Sequence, residues 1–254
     1  MINPSIKWLR WALCAGLCSS VLLLTACAHW AAPSPEDKSP QVLRQLPLEF
    51  SAKDKSQWQA MRLPGKLLTA YRVAPQGPHD ALLAESASSA SMLRQALHIA
   101  PAQLGALHFD WRVERLIPGA DMRQRDAEDS PVRLILVFEG DRQGFSAKNN
   151  MLSELTLSLT GEPLPYATLM YVWCNDCPAE SVIVNPRTDR IRKLAVESGG
   201  DRVGQWLHYR RDIRADFKKA FGEEPGALLG LAIMTDTDNT RSTTRAWYGT
   251  IRLD

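Results

Sequence analysis

The sequence carries none of the spacings on which the commonest catalytic machineries depend. It has no G-x-S-x-G, H-E-x-x-H, P-loop or G-x-G-x-x-G pattern, which removes the motif-based routes to serine hydrolysis, zinc proteolysis and nucleotide binding. The five histidines (His29, His79, His98, His108 and His208) are scattered, and none sits beside a serine or cysteine in a catalytic arrangement. Charge of one sign is missing as well. The 30 Lys and Arg stand against 28 Asp and Glu, with no basic block, so there is no electrostatic footprint for nucleic acid. Cysteine is sparse, at five residues, too few for a disulfide framework in a chain of this length. Strand-like and helix-like segments do not alternate regularly, so a Rossmann-type fold is not expected. No internal repeat is visible.

What is present begins with a targeting segment at residues 1–26. Lys7 and Arg10 form a positive start, and an apolar run follows from Trp11 to Leu24. That run is shorter than the ~20 residues of a comfortable membrane span. Leu24-Thr25-Ala26-Cys27 then resembles the lipobox of bacterial lipoproteins. The resemblance implies cleavage before Cys27 and a diacylglycerol on its sulfur. An ordinary signal peptide or a short membrane anchor is the alternative reading. Acyl chains such as palmitate contribute ~0.8 kcal/mol per buried CH₂, and more than one chain makes anchoring durable. Ala28 stands where the lipoprotein sorting rule places an aspartate for inner-membrane retention, which implies the periplasmic side of the outer membrane. Residues 27–46 read as a lipidated tether, since 28–40 (AHWAAPSPEDKSP) are rich in Pro, Ala and charge without apolar period.

Residues 47–254 are long enough for one domain with a proper core. The expected fold is mainly β, a jelly-roll-like β-sandwich with one or two short helices. Strands are expected at Leu67–Val73, Ala81–Ser86, Leu107–Arg115, Val132–Phe138, Leu152–Leu159, Thr168–Trp173, Ser181–Val184, Lys193–Glu197, Leu228–Thr235 and Thr244–Leu253. Several alternate, as Leu134, Leu136 and Phe138 do against Arg133, Ile135 and Val137, while LLGLAIM is apolar throughout and suits a strand covered on both faces. A helix is expected after Asp212, with Ile213, Phe217 and Phe221 at i, i+4 and i+8 and Gly222 to end it. Ser88–Leu97 reads as a second, shorter helix.

The most distinctive polar stretch is Asp236-Thr237-Asp238-Asn239-Thr240, between two strand-like runs. Asp236, Asp238 and Asn239 offer side-chain oxygens suited to Ca²⁺, sugar hydroxyls or a partner's arginine. The spacing opens like an EF-hand loop but lacks its Gly and distant Glu. A calcium site needs another carboxylate, with Asp212 or Asp216 as candidates. The plainer reading is a turn in which Asp and Asn bond their own backbone. Arg211 and Trp173 are candidate neighbours, Trp173 as the best placed of the tryptophans for an exposed ring. Trp173-Cys174-Asn175-Asp176-Cys177-Pro178 superficially resembles a thioredoxin motif, but Pro178 and the strand-like SVIVNP follow it instead of a helix. A small disulfide between Cys174 and Cys177, pinning a loop, is expected in an oxidising compartment. Glu139, Asp141, Asp236 and Asp238 are the carboxylates from which a glycosidase-type pair would be drawn.

Several segments together are similar to an uncharacterised bacterial envelope family, DUF3047. They are Ser89-Ala90-Ser91, Phe109-Asp110-Trp111-Arg112, Arg125-Asp126-Ala127 and Leu169-Met170-Tyr171-Val172-Trp173. The C-terminal signature adds Trp206, Arg211-Asp212, Asp216-Phe217, Phe221-Gly222, IMTDTDNT and Ala246-Trp247-Tyr248-Gly249-Thr250-Ile251. The resemblance implies an exported, β-sandwich-like domain and brings no assigned activity. The cysteine pair and Trp247 depart from the family's pattern. The functional expectation is a membrane-anchored, non-catalytic module that binds an envelope glycan or a protein partner. An envelope polysaccharide hydrolase and a scaffold lipoprotein are the alternatives.

Overall fold

The computed structural model describes residues 46–254 except 77 and 78. The targeting segment, the lipidation position Cys27 and the tether up to residue 45 lie outside the described residues. The described residues form one compact unit. Along the described chain run β1 (Leu48–Phe50), β2 (Gln59–Arg62), β3 (Ala70–Gln76), β4 (His79–Ala87), β5 (Ala90–Ile99), β6 (Ala106–Val113) and β7 (Ser130–Phe138). Helix α1 (Ala147–Thr160) follows, then β8 (Ala167–Cys174), β9 (Val182–Val184), β10 (Ile191–Ser198) and β11 (Trp206–Asp212). Helix α2 (Ile213–Phe221), β12 (Leu228–Asp236) and β13 (Thr243–Leu253) complete it.

The strands form two sheets. One has the order β11-β6-β13-β4-β3, with β1 added beside the end of β13, where Leu48 faces Leu253. The other has the order β2-β5-β12-β7-β8-β10-β9. Among the paired strands of the described residues, only β8 and β10 run parallel, joined by the crossover that a parallel pair requires. Period-2 alternation turns Leu134, Leu136 and Phe138 of β7 toward Leu82, Phe109, Trp111, Tyr248 and Ile251 of the facing sheet, in one core. Phe109 sits at its centre, 4.9 Å from the Trp111 ring and 5.6 Å from Tyr171. The mainly β sandwich with two helices is therefore what the chain forms.

Helix α2 follows its local signals. Asp212 accepts from the Ala215 N–H, Gly222 ends the helix at φ +75°, and Ile213 and Phe217 are buried. Two expected elements are corrected. Leu152–Leu159 belongs to α1, not to a strand: Ser146 caps its start, accepting from the Asn149 N–H, and Gly161 closes it at φ +81°. Ser88–Leu97 is largely β5, not a helix. Its inward positions include Ser91 and Gln95, which are buried beside Leu93, Leu97 and Ile99 and disguise the two-residue period. β11 was also unforeseen, because along its edge only Leu207 is buried.

Candidate functional site

The outer face of the seven-stranded sheet is not a solvated one. Pairing of β12 with β7 sets Asp236 opposite Ser130 and Met234 opposite Arg133, joining two segments about a hundred residues apart. Asp236 Oδ1 accepts from the Ser130 N–H at 3.1 Å and from Arg133 Nε at 2.9 Å, and Oδ2 accepts from Arg133 Nη2 at 2.9 Å. Arg133 Nη2 also donates to the Glu128 carbonyl at 2.7 Å. Glu128 pairs with Lys193 Nζ at 2.6 Å and Arg187 Nη1 at 2.8 Å. Asp236, Arg133, Glu128 and Lys193 are all buried, Lys193 fully. Burial pushes the Asp236 carboxyl up to about 6 against the pull of Arg133. Burial, with Arg133 nearby, brings Lys193 down to about 8.

The loop beyond Asp236 is tied down in the same way. Asp129, buried at the start of β7, accepts from the Asn239 N–H and Nδ2 at 3.2 and 3.1 Å. It also accepts from the Thr240 N–H and Oγ1 at 2.7 and 2.6 Å. Asp238 forms an ion pair with Lys66. Oxygens of Asp129, Asp236 and Asp238 lie within 4.8 Å of one another, so the third carboxylate is Asp129, not Asp212 or Asp216. This donor set does not fit Ca²⁺: Arg133 and Lys66 already supply the cations, and both Asp129 oxygens hold two donors each. Asn239 donates its N–H and Nδ2 to Asp129.

Of the neighbours expected for the loop, Trp173 adjoins Asp236 through its backbone carbonyl, which accepts from Ser130 Oγ at 3.3 Å, and Arg211 is elsewhere. Arg211 faces Leu107, which in turn faces Leu253 at the far end of β13, whereas the loop leads into Thr243. There Arg211 Nε donates to Asp216 at 2.8 Å and Nη1 to Glu180 at 2.7 Å. Trp173 is fully buried and gives its indole N–H to the Gly199 carbonyl at 2.9 Å, so the expected exposed ring is corrected to a core one. Cys174 and Cys177 form a disulfide, packed with Met122, Val172, Ile183 and Ala195.

A different constellation is open to solvent. Beyond the C-terminal end of β7, the loop to α1, the start of β8 and the turn before β10 enclose a depression of about 170 Å³. Asp141, Ser146, Asn149, Tyr166, Asp189 and Arg190 line it. Asn149 Nδ2 donates to Asp189 Oδ1 at 2.7 Å, and Thr188 Oγ1 donates to Asn149 Oδ1 at 2.8 Å, which fixes the amide. The Arg190 guanidinium lies 4.1 Å from the centre of the Tyr166 ring, and Phe145 stacks on that ring at 6.1 Å. Burial and the Glu223 carboxylate, which accepts from the Tyr166 hydroxyl at 2.9 Å, hold that phenol above its ordinary value. A second depression, of about 240 Å³, is lined by Arg210, Asp212 and Arg214 and contains no aromatic ring.

Asp141 is the one residue of the sequence-derived acidic set that reaches the open depression. Asn149, Tyr166, Asp189 and Arg190 were missed. The available signals were Ser146 and Gly161, which bound α1, and the Asn185–Arg190 turn. Glu139 and Asp141 follow one end of β7, whereas Asp236 and Asp238 lie at its other end. Nine residues of strand separate those groups by roughly 25–30 Å, well beyond the ~5–9.5 Å of a glycosidase pair.

No curated protein matches the chain. Among solved structures, a cleaved adhesin domain of Lys-gingipain aligns at 7% identity and TM-score 0.36, over 82% of this chain and 99% of that one. A low affinity xylan binding module from Roseburia intestinalis aligns at 10% identity and TM-score 0.33, over 83% of this chain and 96% of that one. The glycoside hydrolase domain of Endo-D from Streptococcus pneumoniae aligns at 8% identity and TM-score 0.34, over 78% of this chain but 21% of that one. Likenesses this distant bear on neither mechanism nor ligand. The family model described as a protein of unknown function, DUF3047, matches residues 56–252, a span that contains both sheets except β1 and the last residue of β13. The chain belongs to the DUF3047 family.

Proposed function

We propose that this chain is an envelope lipoprotein, tied by a lipid on Cys27 to the periplasmic side of the outer membrane, whose β-sandwich is a non-catalytic glycan-binding module. The observation that carries the binding assignment is the depression in which exposed Asp141 and Asp189 adjoin half-buried Tyr166 and Arg190, above the buried Asn149 amide. A sugar presents hydroxyls along its rim and C–H bonds on its faces. The exposed carboxylates of Asp141 and Asp189 suit the first, and the half-buried Tyr166 ring, beside Arg190 and Phe145, suits the second. The amide is oriented beforehand by Thr188 and Asp189, so little ordering cost remains to be met on binding. The anchor rests on the lipobox resemblance of Leu24–Cys27.

A thermal-shift screen of residues 28–254 against envelope glycans tests the reading. A ligand at ~100 times its dissociation constant adds roughly 2.7 kcal/mol, which for a domain of this size raises Tm by about 5–10 °C. If no glycan raises Tm while a protein partner co-purifies with the chain, the glycan assignment is wrong.

A further inference from the structure

Helix α1 presents apolar side chains to water in an arrangement opposite to that of an ordinary surface helix. Among the described residues, Met151 is 62% exposed, Leu155 52%, Leu157 44% and Leu159 59%. These are four of the eight large apolar side chains so exposed. Met151, Leu155 and Leu159 fall at i, i+4 and i+8, one stripe along the helix. The docked side, about a third of a turn round the helix from the stripe, holds buried Asn149 with half-buried Leu152, Ser153 and Thr156. The helix is therefore docked through its more polar side, and Lys148 and Glu154 are its only charges.

We propose that this stripe rests in the interface of the bilayer to which the lipid on Cys27 ties the chain. The inference rests on the lipoprotein reading above and adds a second, protein-borne contact to it. Size argues for a lipid surface over a protein partner. Three side chains cover far less than the ~800 Å² each partner contributes to a standard protein interface. A stripe this small does not hold a free protein on a membrane, but an anchored one meets the bilayer at an effective concentration in the millimolar range. The tether permits the contact. Roughly 20 residues between Cys27 and Leu48 reach at most ~70 Å, several times the ~10 Å between packed sheets. The chain enters at the end of the sandwich where Leu48 faces Leu253, the end at which Phe138 closes β7 and the segment leading to α1 begins. With Lys148 and Glu154 its only charges, α1 exposes an apolar stripe that gains from leaving water.

The test uses the full lipidated chain carrying Leu155→Trp, reconstituted into phosphatidylcholine vesicles with brominated acyl chains. A matched sample carries Leu67→Trp, at an exposed position outside α1. The unsubstituted chain supplies the tryptophan background. With the chain floating with the vesicles, emission from the indole introduced at 155 shifts to the blue and loses most of its intensity to bromine, while that at 67 does neither. A floating chain with an unquenched indole at 155 overturns the inference and leaves the lipid anchor standing. Equal quenching at 67 overturns the assignment to α1. A chain that fails to float with vesicles overturns the lipid anchor and this inference with it.

Discussion

At the start of β7, Asp129 and Asp236 have every carboxylate oxygen engaged from within: four donors converge on Asp129 and three on Asp236. Past the other end of β7, Asp141 and Asp189 are exposed, on the rim of a depression with an oriented amide and a stacked ring. The first region is rich in acid, but its two buried carboxylates are taken up by internal donors. The second has fewer acids and keeps them in water. Density of carboxylates in a sequence is thus a poor guide to a binding site. What matters is whether hydrogen-bonding capacity remains after the fold has taken its share.

The sharpest way to break this contrast is Arg133→Ala. It strands Asp236 and part of Glu128 inside the protein, and breaking a buried pair costs ~3–5 kcal/mol. Urea unfolding reads this directly, and a loss below ~1 kcal/mol would show that the network is not closed. Asp129→Ala comes next. It leaves the Asn239 and Thr240 donors without their acceptor; these are part-buried and reached by water, so the total loss is ~1–3 kcal/mol. A smaller signal lies in the pH dependence. The folded-state pKa of Asp236 is raised from 3.8 to about 6, so the folded state holds its proton more tightly than the unfolded one. Its contribution to stability is full below about pH 4 and is lost as pH rises through about 6. Relative to Asp236→Asn, the wild type loses stability across that window and is level above it. A difference that grows with rising pH contradicts the assignment. The smallest effect belongs to the open region, where Asp189→Ala removes one exposed acceptor of the Asn149 amide and changes unfolding free energy by ~1 kcal/mol.

Much of the scaffold was legible in the residues. β7 and β13 announce themselves by alternation or β-rich composition, and β12 by an apolar run that fits burial on both faces. Asp212 and Gly222 mark the ends of α2. Two segments misled for definite reasons. In α1, Leu155, Leu157 and Leu159 mimic a strand because the helix leaves them in water, so no buried stripe imposes a helical period. In β5, Ser91 and Gln95 occupy inward positions and hide the strand. The acidic loop was visible, but its meaning depended on Asp129 and Arg133, brought to it by β7–β12 pairing that local spacing does not encode. Arg133 looked like a solvent-facing residue because alternation tells one face from the other without revealing that both are covered.

The most direct test of the central claim is calorimetric titration of an envelope glycan that stabilises the wild type, comparing Asp189→Ala with Asp236→Asn. The account predicts that Asp189→Ala stays folded, within ~1 kcal/mol of the wild type, yet loses the glycan, while Asp236→Asn changes stability and keeps it. Retained affinity in Asp189→Ala, with affinity lost in a still-folded Asp236→Asn, would contradict it and return the site to the acidic loop.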